Sequence, residues 1–253
     1  MDEWHPLARE GEWSAAVRSG LDDDAVHVWR VALDDETRLE SSWSLLSAAE
    51  RVRAQRLQGA ALRRRFVIAH GTLRGVLAGY LDAEPSGLVF DVGEHGKPSL
   101  GGETGARSGV EFNLSHSEDV ALIAVARGRP VGVDVQRWSE EVEHLRLAER
   151  FFSLAERDAL RGLSHARELM MAGFFAAWTR KEAYVKATGH GIARGLHHFD
   201  VSLAPGERAR LLADRLDSEA VARWAIETLD PAPGYSGALV VPSPLGQVLR
   251  FSM

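Results

Sequence analysis

Two long helical segments, each followed by short strands, limit most strongly what this chain can fold into. Apolar residues recur at helical spacing over about 62–80 and again over about 167–188, where Gly189 ends the second pattern. A valine- and tryptophan-rich strand (26–33) precedes the first helical region, and short β-rich stretches broken by glycine and proline follow both helices. This order predicts an α+β fold built from two similar-sized halves.

The two predicted halves meet just after Gln136, where strand patterns give way to helical ones. The N-terminal half is therefore expected to span 1–136 and the C-terminal half 137–253. Between the strands of the first half, the segment 98–109 is rich in glycine and serine and is predicted to be a loop. Capping boxes mark two helix starts, at Ser47 with Glu50 and at Ser153 with Glu156.

The composition excludes several kinds of protein. With 253 residues, of which 45% are hydrophobic and 26% charged, the chain has the makeup of a folded globular protein. It contains no cysteine, so disulfides, thiolate nucleophiles and cysteine-based zinc sites are excluded. The longest apolar run, Met170 to Trp178, is far shorter than the ~20 residues of a membrane span. The first residues lack a secretory pattern, and we expect a cytoplasmic protein without membrane partners.

Charge is distributed unevenly along the chain. The net charge of −6 argues against a nucleic-acid partner, whose binding needs an excess of lysine and arginine. The stretch 51–81 nevertheless contains no Asp or Glu. Such a stretch either binds something anionic or forms a solvated helical face, and both interpretations stay open. Its arginines are Arg51, Arg53, Arg56, Arg63, Arg64, Arg65 and Arg74.

The strand RPVGVDVQ has an apolar face and an acidic face. Its valines alternate with Asp134 and Gln136, whose side chains are expected about 6.6 Å apart along the strand. Oxygen-bearing side chains at this spacing can both reach a hard cation such as Mg²⁺. An Asp after a glycine-containing turn is also a common turn or cap residue, which is the structural alternative.

One face of the helix WTRKEAYVKATGHG carries Trp178, Glu182 and Lys186 at four-residue spacing. On a surface, Glu182 and Lys186 would form an ordinary ion pair that contributes ~0.2–0.5 kcal/mol. Phe174, Phe175 and Trp178 indicate instead that the helix is buried, and a buried carboxylate needs a partner. A divalent ion would supply that partner, and Lys186 would add positive charge for an anionic leaving group.

The strand end FNLSHS carries groups that can hydrogen-bond to phosphate, at Ser115, His116 and Ser117. A hydrolase triad is the other chemistry that serine and histidine suggest. The chain has no G-x-S-x-G turn, and the adjacent residues Ser115 and His116 point to opposite faces of a strand. We therefore expect phosphate contacts here.

In this order, the segments GKPSL, FNLSHS, VGVDVQ and WTRKEAYVKATGHGI resemble the motifs of the 4'-phosphopantetheinyl transferases, of the two-halved type that activates surfactin synthetase. They run from Gly96 to Ile192, and the flanking lengths fit a resemblance over the whole chain. It implies transfer of the phosphopantetheine arm from coenzyme A to a serine hydroxyl of an acyl or peptidyl carrier protein, with release of adenosine 3',5'-bisphosphate. It also implies a monomeric pseudo-dimer of two similar α/β subdomains, each with a small, mostly antiparallel sheet packed against helices.

The resemblance further implies a catalytic Mg²⁺ site, with Mn²⁺ as the alternative ion. Asp134 resembles the first carboxylate ligand and Glu182 the carboxylate from the other half. Gln136 stands where many relatives carry a second acidic ligand, so weaker Mg²⁺ binding is expected. Glu182 is expected to take the serine proton, either directly or through a metal-bound water, and Lys186 to neutralise the leaving phosphate.

Contacts with the coenzyme and the carrier are carried over in the same way. The loop Thr188–His198 is expected to contact the carrier protein. Because carrier proteins are usually acidic, other arginines of the stretch 51–81 are expected to attract them. The expected coenzyme ligands are Lys97, Ser115 and His116 for its phosphates, and Arg53 and Arg65 for the 3'-phosphate.

Two other functions remain open from the sequence. Gln136 leaves room for a coenzyme A-binding module whose catalysis is impaired. The arginine-rich helices leave room for a nucleic-acid-binding regulator, which the acidic net charge and the absence of interleaved aromatic residues disfavour.

Overall fold

The computed structural model describes residues 4–7, 21–191 and 194–253. The chain divides into two compact units, 1–129 together with 246–253, and 130–245. This division differs from the predicted one in two ways. The first unit ends at Arg129 and not at Gln136, and the chain returns to that unit at Gly246 for its final strand. The strand that carries Asp134 belongs to the second unit.

The first unit contains a five-stranded sheet and a separate two-stranded hairpin. Its strands are β1 (His5–Pro6), β2 (Val26–Ala32), β3 (Phe90–Val92), β4 (Pro98–Leu100), β5 (Val110–Ser117), β6 (Val120–Arg127) and β12 (Val248–Ser252). Its described helices are α1 (Leu39–Leu45), α2 (Ala48–Arg56), α3 (Ala60–Leu81) and α4 (Gly102–Ser108).

The five-stranded sheet has the order β1-β12-β2-β6-β5. β2 lies inside it, antiparallel to β6 and parallel to β12. The core of this unit lies between the sheet and α3. Trp29 of β2, Ile68 and Leu77 of α3, and Phe112 of β5 are almost completely buried there. The apolar spacing predicted for 62–80 is therefore the buried face of α3.

The segment 98–109 was expected to be a loop, and that prediction is wrong. Pro98–Leu100 forms β4, which pairs with β3, and Gly102–Ser108 forms α4. Gly109, with φ of 62°, ends that helix in the left-handed conformation that glycine adopts easily. Most glycines of this segment lie at the start or the end of a helix, so a high glycine content did not indicate a linker here.

The second unit contains a three-stranded antiparallel sheet in the order β10-β11-β7 and a hairpin of β8 with β9. Its strands are β7 (Gly132–Arg137), β8 (Phe199–Val201), β9 (Leu211–Asp214), β10 (Trp224–Leu229) and β11 (Tyr235–Pro242). Its described helices are α5 (His144–Phe151), α6 (Leu154–Gly162), α7 (Arg167–Thr188) and α8 (Ala220–Arg223).

Both predicted capping boxes are confirmed. The Ser47 hydroxyl accepts a hydrogen bond from the backbone N–H of Glu50, and the Glu50 carboxylate accepts one from the N–H of Ser47. Ser153 and Glu156 make the same reciprocal pair at the start of α6. The long second helix also ends where predicted, because Gly189 follows it with φ of 73°.

The predicted α+β class is confirmed, with small, mostly antiparallel sheets packed against helices in each unit. Among the described residues, no helix combines the length and the apolar composition that a membrane span requires.

Candidate active site

A close contact between β7 and α7 positions the acidic residues. Gly132, Asp134 and Gln136 alternate along β7 and so share one face of it. A Cβ atom at Gly132 would lie 2.1 Å from the carbonyl oxygen of Ala183 and 2.4 Å from the amide nitrogen of Ala187, both on α7. The face that carries Asp134 therefore lies directly against the helix that carries Glu182 and Lys186.

Asp134 and Lys186 form an ion pair across this contact. The Lys186 Nζ donates to Asp134 Oδ1 at 2.6 Å and to the backbone carbonyl of Val133 at 3.3 Å. The Asp134 side chain is buried, with 2% of its surface exposed, whereas that of Lys186 is 27% exposed. The lysine can therefore meet a ligand from solvent, while the carboxylate is held in place behind it.

Glu182 lies one helical turn before Lys186 and close enough to Asp134 for their charges to interact. Burial, together with the negative charge of Asp134, raises the pKa of Glu182 to about 6, against the opposing effect of Lys186. Glu182 Oε1 is buried and accepts no hydrogen bond from any residue that the structure describes. Two carboxylates that repel each other, one of which has an oxygen without a hydrogen-bond donor among the described residues, suit a site that binds a cation.

These residues fit a divalent cation. Gln136 is half-buried on the same strand face and pairs in register with Ser236 of β11. The described residues contain no cluster of three or more His, Cys, Asp and Glu side chains that could hold a metal. An ion would therefore depend on two carboxylates and an amide oxygen, and would complete its shell with water and substrate phosphate oxygens, as Mg²⁺ commonly does.

Asp134 and Glu182 both lie in the unit 130–245. The expectation from the sequence, with a boundary after Gln136, placed them in different halves. Their interaction follows instead from the packing of one strand on one helix within that unit.

In the first unit, Ser115 and His116 follow the predicted alternation along β5. Ser115 is buried and His116 is exposed, so the two side chains occupy opposite faces. This separation agrees with the sequence argument against a serine–histidine catalytic pair. Lys97, just before β4, is half-buried, and burial lowers its pKa while Glu111 opposes the shift.

Arg53 and His116 share a neighbourhood with a histidine that the sequence analysis missed. The Arg53 guanidinium lies 5.1 Å from the centre of the Phe66 ring, and the His70 ring lies 4.1 Å from the same ring. Burial lowers the pKa of His70 to about 4; the charge of Glu50 opposes this, and Arg53 and His116 add to it. The only sequence signal was the four-residue spacing from Phe66 to His70.

Arg65, the other expected 3'-phosphate ligand, already has two carboxylate partners. It contacts Glu118 at 2.7 Å and Asp119 at 2.9 Å, and these contacts raise its pKa. A phosphate would have to compete with both carboxylates for this guanidinium.

Lys181, next to Glu182, was also missed as a functional position. Its ammonium is fully buried and contacts Glu156 Oε2 at 2.8 Å, the carbonyl of Leu196 at 2.8 Å and the carbonyl of Phe199 at 2.6 Å. Glu156 also accepts the backbone N–H of Val201. The network joins α6, α7 and the start of β8, so it fixes the helix that carries Glu182.

The expected carrier loop, Thr188–His198, is described except for Ile192 and Ala193, which lie outside the described residues. Arg194 in this loop contacts Asp214 at 2.5 Å, and Tyr184 donates to the same carboxylate at 2.7 Å. Beside them is a cavity of about 600 Å³ that Thr188, Arg194 and Trp224 help to line.

Comparison with known proteins identifies the family. The family model for the ACPS 4'-phosphopantetheinyl transferase superfamily matches residues 130–240. The chain is 39% identical over 219 residues to 4'-phosphopantetheinyl transferase HetI of Nostoc sp., covering 86% of this chain and 88% of that relative. It is 33% identical over 205 residues to 4'-phosphopantetheinyl transferase psf-1 of Bacillus pumilus, covering 79% and 82%.

A solved structure of Helicobacter pylori holo-[acyl-carrier-protein] synthase in complex with coenzyme A matches 45% of this chain and 99% of that one, at 23% identity and a TM-score of 0.34. These two sequence relatives match most of the chain. The chain therefore belongs to the 4'-phosphopantetheinyl transferase superfamily, as an enzyme of the surfactin-synthetase-activating type.

Proposed function

We propose that this chain transfers the 4'-phosphopantetheine arm of coenzyme A to a serine hydroxyl of an apo acyl or peptidyl carrier protein and releases adenosine 3',5'-bisphosphate. Family membership supports the class of reaction. The observation that carries the assignment is the face formed by Asp134, Glu182 and Lys186, where a carboxylate with an open oxygen lies beside an accessible ammonium.

In the proposed reaction, the serine oxygen attacks the β-phosphorus of coenzyme A. A bond forms between that oxygen and phosphorus, while the bond from phosphorus to the bridging oxygen breaks. The bridging oxygen keeps the electron pair and leaves as part of the 5'-phosphate of adenosine 3',5'-bisphosphate. The Lys186 ammonium stabilises the charge that builds on this leaving group.

Glu182 accepts the serine proton in this proposal. A pKa of about 6 leaves its carboxylate mostly ionised at pH 7, while keeping it a stronger base than an exposed glutamate. Asp134 holds Lys186 toward the substrate through their ion pair.

Asp134, Glu182 and Gln136 would hold Mg²⁺ or Mn²⁺. Such an ion supplies neutralisation of the pyrophosphate charge and removes the repulsion between the two carboxylates. Because Gln136 contributes no charge, we expect weaker metal binding than with an acidic residue there.

We further propose that coenzyme phosphates are bound in the first unit by Lys97, Ser115 and His116, with Arg53 at the 3'-phosphate. The absence of a carboxylate partner for Arg53 among the described residues supports this choice. We expect Arg65 to contribute less than Arg53 to 3'-phosphate binding, because Glu118 and Asp119 already neutralise its charge.

The test is transfer to a carrier. The purified chain is incubated with coenzyme A, Mg²⁺ and an apo carrier domain, and the carrier is weighed by mass spectrometry. Transfer adds ~340 Da, the mass of the phosphopantetheine arm with its phosphate. A chain that binds coenzyme A but leaves the carrier mass unchanged would establish the impaired binding module instead.

Glu182→Gln is expected to lose at least about a hundredfold in kcat, the usual contribution of a general base. Glu227→Gln is the matched control. Glu227 is another partly buried glutamate of the same unit, and burial raises its pKa too, but it lies on β10 away from Lys186. Equal losses in both variants would contradict the role of Glu182.

A further inference from the structure

The arginines of the acid-free stretch 51–81 separate into two groups in the structure. Four of them are occupied within the first unit. Arg51 donates to the carbonyl of Ser44 at 2.7 Å, Arg64 contacts Glu36 at 3.2 Å, Arg65 contacts Glu118, and Arg74 contacts Glu50 at 2.5 Å.

The other three, Arg53, Arg56 and Arg63, pair with no carboxylate in the described part of the chain. Arg53 stacks on Phe66 and belongs to the proposed phosphate site. Arg56 and Arg63 are exposed and have no role in that site.

Arg56 and Arg63 lie at the junction of two helices. Arg56 is the last residue of α2, and Arg63 lies at the start of α3. The Arg63 guanidinium donates to the carbonyl of Leu57, the residue that follows α2, at 3.3 Å. Both positive charges therefore belong to the short turn around Gly59.

Helix stability accounts for Arg56, which lies at the C-terminus of α2, but it does not favour Arg63 at the N-terminus of α3. The N-terminus of a helix carries a partial positive charge and is stabilised by acidic residues. The first turn of α3 contains no acidic residue, and no side chain caps it at Gly59. An arginine at this end adds to the partial charge, so the junction attracts anionic groups from outside the unit.

Apolar side chains are exposed at the same junction. Val52 is 46% exposed and lies one helical turn before Arg56 on α2, and Leu62 is 55% exposed next to Arg63. Large aliphatic residues beside unpaired arginines are typical of a surface that binds another protein, with charges at its rim.

We propose that this junction surface, formed by Val52, Arg56, Leu62 and Arg63, docks an acidic face of the carrier protein. The proposal rests on the proposed function, which supplies a carrier as the partner. That face would place carboxylates against Arg56 and Arg63 and apolar side chains against Val52 and Leu62. This contact is separate from the loop Thr188–His198, which lies in the other unit.

Charge reversal at the two arginines tests the proposal. The variant Arg56→Glu with Arg63→Glu is compared with the unchanged chain in kcat/KM for an apo carrier domain, in KM for coenzyme A, and in Kd for the carrier without coenzyme. We expect kcat/KM for the carrier to fall at least about tenfold at low salt, as electrostatically guided association does when its charges are reversed. The KM for coenzyme A should stay unchanged.

Salt supplies the second readout. Raising the salt concentration shortens the electrostatic screening length from about 30 Å to about 3 Å. The difference in kcat/KM for the carrier between the charge-reversal variant and the unchanged chain should then shrink. Leu62→Ser, which keeps every charge, should weaken carrier binding at both salt levels. Circular dichroism confirms that each variant is folded.

The matched control is Arg146→Glu with Arg167→Glu, which makes the same change in net charge at two exposed positions of the second unit. A similar loss in this control, or no loss in the junction variant, would overturn the docking surface. Failure of the proposed function looks different: the unchanged chain would bind the carrier without modifying it. If it binds no carrier in any salt, both proposals fail.

Discussion

At the scale of single residues, Glu182 combines the features of a catalytic group with a cost to stability. Its raised pKa means that the folded chain holds its ionised form less readily than the unfolded chain does. The folded state therefore loses stability as the pH rises from about 4.5 through about 6, where Glu182 becomes charged beside Asp134. At neutral pH this charge is a destabilising feature that activity requires.

Glu182→Gln should therefore make the metal-free protein more stable at pH 7 while reducing transfer. We expect a gain of about 1–2 kcal/mol in the free energy of unfolding, from a pKa difference of roughly 1.5 units. Urea unfolding in the presence of a chelator measures it. The gain should vanish below pH 4.5, where Glu182 is protonated in both states. A variant less stable than the unchanged chain at pH 7 would contradict this account.

The sequence was informative about residues whose chemistry is local. The spacing of Glu182 and Lys186 and the alternation around Asp134 singled out side chains that the structure brings together, while the family resemblance implied that they share a site. His70 and Lys181 were missed because their surroundings come from elements distant in the chain. His70 is defined by Glu50 and His116, and Lys181 by Glu156 and the carbonyls before β8.

At the scale of elements, Gly132 sets the distance between β7 and α7. Any side chain there would meet the helix backbone rather than a movable side chain. Gly132→Ala should therefore lower the free energy of unfolding by about 3 kcal/mol or more, the upper range for overpacking. It should also reduce transfer, because Lys186 would move away from Asp134.

Gly162→Ala is the control for Gly132→Ala. A Cβ at Gly162, the last residue of α6, would meet no atom within 4 Å. Its stability should be unchanged or rise by up to ~1 kcal/mol, because alanine favours helices. Equal effects of the two substitutions on thermal unfolding would show that the contact of β7 with α7 is not tight.

The ion pair of Lys181 with Glu156 connects α7 to α6 and to the start of β8. Lys181→Met removes one partner and leaves a buried carboxylate, which should cost about 3–5 kcal/mol in unfolding free energy. Adding Glu156→Gln removes that charge but keeps an acceptor for the Val201 N–H. We expect the double variant to lose at least about 1 kcal/mol less than the sum of the single variants. Additive losses would mean that the two groups do not act as a pair.

At the scale of the whole molecule, the sequence predicted the class of fold better than its division. Two similar halves with small sheets were correctly predicted from the order of helical and strand patterns. The position of β12 was not, because a five-residue strand gives no sign of which sheet it joins. The structure pairs it with β2, more than two hundred positions earlier in the chain.

Removal of residues 246–253 should therefore disrupt the first unit rather than the second. β2 would lose its parallel neighbour, and Trp29 would lose Phe251, whose ring stacks on it at 4.5 Å. The truncated chain should expose apolar surface and fail to bind coenzyme A, while the fold of 130–245 persists. Hydrogen exchange resolved by segment measures this. Uniform protection like that of the full chain would contradict it.

The return of the last strand to the first sheet also orders events during synthesis. On the ribosome, every residue of 130–245 is synthesised before the strand that closes the older, N-terminal unit. That earlier segment must wait with an unpaired edge at β2, a state in which nascent sheets recruit chaperones or pair wrongly. The unit that is made first can thus complete its sheet only at the very end of synthesis.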